Sequence, residues 1–270
     1  MLRLADLPAG HAGRALLTGV TPIVASQTDP RFSYRLFVPP DYRDDEGPLD
    51  VWVCVHGTGR RTETYLDGLA EIAVDQRAVV LTPIFPAAID DPDDMHNYKM
   101  IEQGGVRYDH LLLSMVDEVA RRWNVSTDRF FLHGFSGGGQ FAQRFLYLHP
   151  GRLSAVSIGA PGRITLPDPQ RPWWEGVEDL VTRFGTALDP ADVARVPTQI
   201  VIGGKDNDPA EVFPSPGGPD RMSRAKALRD ALNALGSDVR FDVVPGVGHD
   251  GKGVLPAVID FLLEAGRPRR

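Results

Sequence analysis

The sequence predicts an α/β fold: a mostly parallel central sheet with helices on both faces. Three observations predict it. Short apolar runs recur along the chain, and segments of 3.6-residue hydrophobic period separate most of them. Several runs are apolar at nearly every position, as strands buried on both faces are. The connections between run and helix are rich in glycine and proline, which end regular structure.

The elements follow in order. "YRLFVPP" (34–40) alternates and stops at Pro39-Pro40. "DVWVCVHG" (50–57) is a continuous apolar run, with a helix expected from about residue 62. "AVVLTPIF" (78–85) and "RFFLHGF" (129–135) read the same way, as do "LSAVSIGA" (153–160), "TQIVIGG" (198–204) and "VRFDVVPG" (239–246). Leu112, Met115, Val116, Val119, Ala120 and Trp123 share one helix face. Phe141, Phe145 and Leu148 share another, in a helix that ends at His149-Pro150. Ala225, Leu228, Leu232 and Leu235 form a third, with Gly236 as its stop. Leu255, Val258, Ile259 and Leu262 form the last. Two stretches break the rhythm: the acidic connection 86–105 and the strandless segment 163–195. Long connections in compact domains are usually functional or disordered, and the Trp173-Trp174 pair argues against disorder.

Composition bounds the function. The length suits a single domain over residues 1–270, and 42% of the residues are hydrophobic. A net charge of −7 disfavours nucleic acid as a partner, and the basic end, Arg267, Arg269 and Arg270, reads as a solvated tail. The single cysteine, Cys54, excludes an intrachain disulfide and a CxxC site, and reads as a small core residue. No apolar run reaches the roughly 18 residues of a membrane span, and the first residues carry no secretory pattern. A cytoplasmic location is therefore expected. Asp90, Asp91, Asp93 and Asp94 lack the spacing of a calcium loop and read as a solvated loop, so no metal is expected. Gly246, Gly248 and Gly251 match G-x-G-x-x-G, but too little chain follows for a dinucleotide-binding unit.

One segment carries chemistry. Gly134-Phe135-Ser136-Gly137-Gly138 fits G-x-S-x-G between an expected strand and an expected helix. A tight turn there exposes one hydroxyl, small neighbours let strand and helix approach, and the helix N-terminus favours a developing oxyanion. A serine hydroxyl is a weak nucleophile and needs a base, which in turn needs an orienting acid. His249, in "VVPGVGHDGKG", and Asp206, at the end of "QIVIGGKD", both follow expected strands. All three residues then fall on the C-terminal edge of a parallel sheet, where such folds bind ligands. Asp208 is the rival acid, and Asp250 stands too close to His249 to be the usual partner. "VCVHGTGR" (53–60) offers a second oxyanion donor, the Thr58 amide first and that of Gly59 next. His56 reads as a histidine that ties this loop together, and His133 as structural.

With "HGTG", "GFSGG", "GGKD" and "GVGHD" in this order, the chain resembles the α/β-hydrolase superfamily, and within it the esterase and polyhydroxyalkanoate-depolymerase-like group. The resemblance spans residues 56–251. It implies a triad of Ser136, His249 and Asp206, an oxyanion hole of the Gly137 and Thr58 amides, and hydrolysis of small carboxylic esters without a cofactor. It also implies that 163–195 is a lid. That group is often secreted with disulfides, whereas this chain has one cysteine. An amidase, peptidase or lactonase would use the same triad, and a non-catalytic binding module would share the fold. Trp173 and Trp174 either line a substrate pocket or pin the insertion to the core. Tyr98 and Arg107 are further candidates for substrate contact, Arg107 either on a substrate carboxylate or in an ion pair.

Overall fold

The computed structural model describes residues 3–8, 10–207 and 214–266. Two short strands, β1 (Gly19–Val20) and β2 (Val24–Ala25), precede β3 (Ser33–Val38) and β4 (Asp50–Val55). Helix α1 (Glu63–Asp75) leads to β5 (Ala78–Ile84). A hairpin of β6 (Glu102–Gln103) and β7 (Val106–Arg107) precedes α2 (Tyr108–Ala120). Then come β8 (Phe130–Phe135), α3 (Gly137–Leu148), β9 (Leu153–Gly159) and two short helices, α4 (Leu180–Phe184) and α5 (Pro190–Ala194). The chain continues through β10 (Thr198–Gly203), α6 (Arg221–Ala234), β11 (Val239–Val244) and α7 (Gly251–Ala265). The strand runs and main helices expected from the sequence all appear, most boundaries differing by a residue or two. Segment 163–195 contains no strand, and α4 and α5 lie within it.

The main sheet runs β1-β3-β5-β4-β8-β9-β10-β11, with β2 also on β3. From β5 to β11 every pairing is parallel. The first strands pair antiparallel, β3 against β5 and β1 and β2 against β3. Parallel strands need crossovers, and crossovers are right-handed. The step from β4 to β5 goes one way along the sheet and that from β8 to β9 goes the other. Helices α1 and α3 therefore cover opposite faces, and α7 packs on α1, with Leu255 against Gly68. The direction in which the connections step along the sheet reverses between β4 and β8, which are parallel neighbours. A crevice opens at the carboxyl ends of strands at such a switch point.

The core bears out the reading of the central apolar runs, but not that of 239–246: β11 is the edge strand of the sheet, and none of its residues is fully buried. Every residue of β8 is buried, as is every residue of α3. A helix apolar on one stripe only would leave a wet face, whereas α3 has none. Two of its polar side chains find partners inside: Arg144 Nε donates to Thr165 Oγ1 at 2.9 Å, and the Gln143 carbonyl accepts from Thr165 N at 3.2 Å. Residue 165 belongs to the strandless segment, so that segment is anchored to the central helix. Phe141, Phe145, Phe130 and Trp123 fill the surrounding core, each fully or almost fully enclosed, at about 1.5–3 kcal/mol for burying a large apolar side chain. Among the described residues no helix is long and apolar enough to cross a membrane.

Candidate active site

The site is built at the switch point. Ser136 occupies the turn between β8 and α3 with φ 58° and ψ −111°, a conformation that costs a non-glycine residue energy. Close backbone contacts hold it there. A Cβ at Gly134 would overlap the Gly138 carbonyl, and a Cβ at Gly138 would overlap that of Val55. Ser136 N donates to Gly159 O at 2.8 Å, tying the turn to β9. The glycines are thus a packing requirement: strand and helix approach so closely that only hydrogen fits.

The loops after β10 and β11 bring the partners. Asp206 N donates to Gly203 O at 3.0 Å and Lys205 N to Val247 O at 2.8 Å, lacing the two loops together. Asp250 caps α7 through Lys252 N at 2.9 Å, which fixes the chain beside His249. The His249 ring lies against Phe135, centroids 4.9 Å apart. His249 Nδ1 is 2.7 Å from Asp206 Oδ2, and Nε2 is 2.9 Å from Ser136 Oγ. A carboxylate only accepts, so Nδ1 carries the proton and Nε2 is left to accept from the serine hydroxyl. The structure therefore brings Ser136, His249 and Asp206 into one hydrogen-bonded line. Asp208 lies outside the described residues, as do Arg267, Arg269 and Arg270.

Thr58 sits opposite the helix N-terminus. A Cβ added to Gly137 would lie 3.2 Å from Thr58 N, so the two backbones face each other beside Ser136. Among the described residues neither the Thr58 nor the Gly137 amide has a hydrogen-bond acceptor. Two such amides and the positive end of α3 suit a small oxyanion. His56, next in the loop, is fully buried, with Nδ1 2.9 Å from Gly57 O and Nε2 accepting from Phe85 N at 3.0 Å. Burial, the larger influence, holds it neutral with a pKa of about 4, while the Gly57 carbonyl pulls upward. It ties the loop to β5.

A cleft of about 560 Å³ opens over Ser136 and is lined by Thr58, Gly59, Arg61, Phe135, Arg221 and His249, among others. A smaller cavity of about 80 Å³ adjoins it and also reaches Ser136. Trp173, Trp174, Tyr98 and Arg107 line neither. The Trp173 indole donates to Met100 O at 3.2 Å, and both tryptophan rings lie 5.7 Å from the Arg144 guanidinium carbon, which pins the insertion to α3. Tyr98 is buried and donates to His56 O at 2.9 Å, supporting the loop that carries Thr58. Arg107 forks onto Asp109 at 2.9 and 2.6 Å, a structural ion pair. Trp173, Tyr98 and Arg107 stand back because their polar side-chain atoms are used in holding the scaffold, and Trp174 is held through its ring and its carbonyl, which accepts from Thr165 Oγ1 at 2.6 Å.

Sequence reasoning missed Arg221 and Lys99. Arg221, 6% exposed at the start of α6, donates to Asp206 Oδ1 at 3.0 Å, so the acid is held by two groups. Lys99, 2% exposed, donates to Thr58 Oγ1 at 2.7 Å and lies 2.7 Å from His96 Nδ1. Burial first, then the fields of Arg60 and Arg163, push its pKa down to about 8, against the pull of Asp94. His96 is itself lowered, by burial and then by Lys99. Neither residue sits in a recognisable motif. Lys99 reaches the site from the long connection 86–105 and Arg221 from the first turn of α6.

No protein-family model matches the chain, and no curated protein matches its sequence. Solved structures do match its fold. A poly(3-hydroxybutyrate) depolymerase from Bordetella parapertussis superposes with TM-score 0.73 at 24% identity, over 100% of this chain and 96% of that one. Poly(aspartic acid) hydrolase-1 from Sphingomonas sp. KT-1 gives TM-score 0.70 at 20% identity, covering 85% of this chain and 92% of that one. An S-formylglutathione hydrolase from Agrobacterium tumefaciens gives 0.59 at 18%, over 91% and 93%. The chain has the α/β-hydrolase fold.

Proposed function

We propose that the protein is a serine hydrolase that cleaves a carboxylic ester through an acyl-enzyme. One observation carries the reading: Ser136 Oγ, His249 and Asp206 form an unbroken hydrogen-bonded line at the mouth of a cleft, at 2.9 and 2.7 Å. His249 takes the hydroxyl proton as Ser136 attacks the carbonyl carbon. Asp206 holds the ring and stabilises the imidazolium. The amides of Gly137 and Thr58 receive the oxyanion. Collapse returns the proton from His249 to the leaving oxygen. A water, deprotonated by His249, then attacks the acyl-serine, the acyl–Oγ bond breaks, and His249 returns the proton to Ser136 Oγ as the acid leaves. Every proton is handled by a group in the site, and no cofactor is required. The hydrolases among the structural neighbours support this class of chemistry.

Labelling with a fluorophosphonate tests it. The probe is expected to modify Ser136, identified by mass spectrometry of the peptide, and His249→Ala is expected to lose the label. A folded protein that stays unlabelled would overturn the reading. A panel of esters, anilides and lactones would then place the leaving group.

A further inference from the structure

Two cavities meet at Ser136, and only the wider one is lined by His249. The base returns its proton to the leaving oxygen, so the leaving group must lie on the His249 side. The smaller cavity is left for the acyl chain. This assignment rests on the hydrolase reading above.

That smaller cavity is cationic. Lys99, Arg163 and Arg221 wall it, together with Thr58, His96 and Gln140. Lys99 is almost fully enclosed, yet both its bonded neighbours, Thr58 Oγ1 and His96 Nδ1, are neutral acceptors. Among the described residues it makes no ion pair with a carboxylate. An ammonium has three N–H groups, and two are used. Buried charges are normally paired, because leaving water unpaired costs several kcal/mol. More positive charge stands behind it. Arg144, fully buried, donates to neutral oxygens, those of Thr165, Lys99 and Arg163. Arg60 adds its field, and Asp94 alone opposes it among the influences on Lys99. The chain as a whole carries −7, so this concentration runs against its average.

Gln140 supplies a second, independent sign. It is 7% exposed, lines the same cavity, and its Oε1 is buried without a hydrogen-bond partner. Buried polar atoms are rarely left so. The amide oxygen and nitrogen of glutamine occupy equivalent positions after a half-turn, so this group can present its NH₂ to an acceptor.

We propose that the small cavity binds a carboxylate on the acyl chain of the substrate, and that the enzyme hydrolyses monoesters of short dicarboxylic acids. Water and monoester give the dicarboxylic acid and the alcohol, with the acyl–oxygen bond broken and the proton passed by His249. The volume of about 80 Å³ suits a short acyl chain that ends in a carboxylate, so the anion sits a few bonds from the scissile carbonyl.

The test compares monoethyl succinate with ethyl butyrate, which differ by carboxylate against methyl, in a pH-stat assay. Charge-assisted hydrogen bonds discriminate by about 10–100-fold, so the kcat/KM ratio should favour the succinate ester by at least about tenfold at pH 7. Lys99→Met and Arg163→Met should each reduce that ratio about fivefold or more, on the same scale. A ratio cancels general damage to the enzyme, including any through Thr58. It should also decline as pH rises through about 8, where Lys99 loses its charge among Arg60, Arg144, Arg163, His96 and Asp94. A ratio near one, or a preference that survives both substitutions, overturns the proposal. Titration of Ser136→Ala with monoethyl succinate separates the two readings. Binding that Lys99→Met removes supports the anion pocket even if no ester is cleaved, and absence of binding overturns it even if neutral esters are.

Discussion

Among the described residues, two histidine–aspartate–arginine clusters look alike until their surroundings are compared. At the switch point, Asp206 holds His249 at 2.7 Å and Arg221 at 3.0 Å. At the far end of α3, Asp109 holds His149 at 2.7 Å and Arg107 through both guanidinium nitrogens. Both carboxylates are buried. The difference lies in which ring nitrogen the aspartate takes and what stands beyond. Asp206 bonds Nδ1 of His249, and Nε2 faces Ser136. Asp109 bonds Nε2 of His149, whose ring rests on Phe145 with centroids 4.8 Å apart. A paired histidine is therefore common structural material. What sets one pair apart is a strained serine above the ends of parallel strands, and the proposed catalysis rests on that difference.

The largest effect separates the clusters outright. Ser136→Ala should lower kcat on an ester by about 10⁶, the scale known for a triad nucleophile, and His249→Ala by a similar amount. His149→Ala should leave kcat/KM within about twofold while lowering the melting temperature, since it removes a buried hydrogen bond worth about 1–3 kcal/mol. Steady-state kinetics beside thermal unfolding would read both. A loss below tenfold in Ser136→Ala would remove Ser136 from the mechanism.

The acids come next. Asp206→Asn should cost about 10⁴ in kcat, because the amide favours the wrong tautomer of His249. Asp109→Asn should leave kcat nearly unchanged. If both substitutions lowered kcat alike, the distinction between a catalytic and a structural cluster would fail.

How much of this was legible in the sequence follows the range of the forces involved. The elbow was legible because a local steric demand, small residues around Ser136, leaves a local trace. Asp206 and His249, which the structure brings to Ser136, were legible because each stands in the loop that follows a strand run. His56 and His133 read correctly as scaffold: His133 is enclosed and bonds Ser157 at 3.0 Å through Nδ1. The hairpin of β6 and β7 was hidden in an acidic connection that shows no period, its two-residue strands being too short for one. For Arg107 the sequence left a substrate contact and an ion pair open, and the ion pair with Asp109 is the outcome, since nothing local says that α3 will deliver His149 to the same carboxylate. Arg221 and Lys99 are invisible for the same reason. Their partners lie across the fold, and a solitary cation carries no pattern.

A third prediction sharpens the structural cluster in acid. Burial alone would raise the pKa of Asp109, but the hydrogen bonds from His149 and Arg107 outweigh it and hold the pKa at about 2. The folded value lies below the unfolded one, so the cluster contributes stability above about pH 4 that is lost as pH falls through 2. The depression corresponds to about 2 kcal/mol, or roughly 30-fold in the folding constant. Denaturant unfolding between pH 5 and pH 2 should show this loss in the parent and a flatter profile in Asp109→Asn.

The smallest expected effect concerns the arginines, and it reads the comparison most finely. Arg221 donates to the Asp206 oxygen that His249 does not use. It leaves the acid one rotamer and one face. Arg221→Gln keeps a donor of shorter reach, so Asp206 gains freedom to turn and His249 is less often aligned with Ser136. The expected cost is about tenfold in kcat on a neutral ester, near 1.4 kcal/mol, with KM little changed because no neutral substrate contact is lost. Arg221→Lys should recover part of it, a single donor replacing one arm of a fork. Arg107→Gln, at the other cluster, should change neither kcat nor KM and should lower stability by about 1–2 kcal/mol, since Arg107 is partly exposed. An Arg221 variant with parental kcat would mean that Asp206 is held by its loop alone. The second bond in that cluster would then be as structural as its counterpart at Asp109.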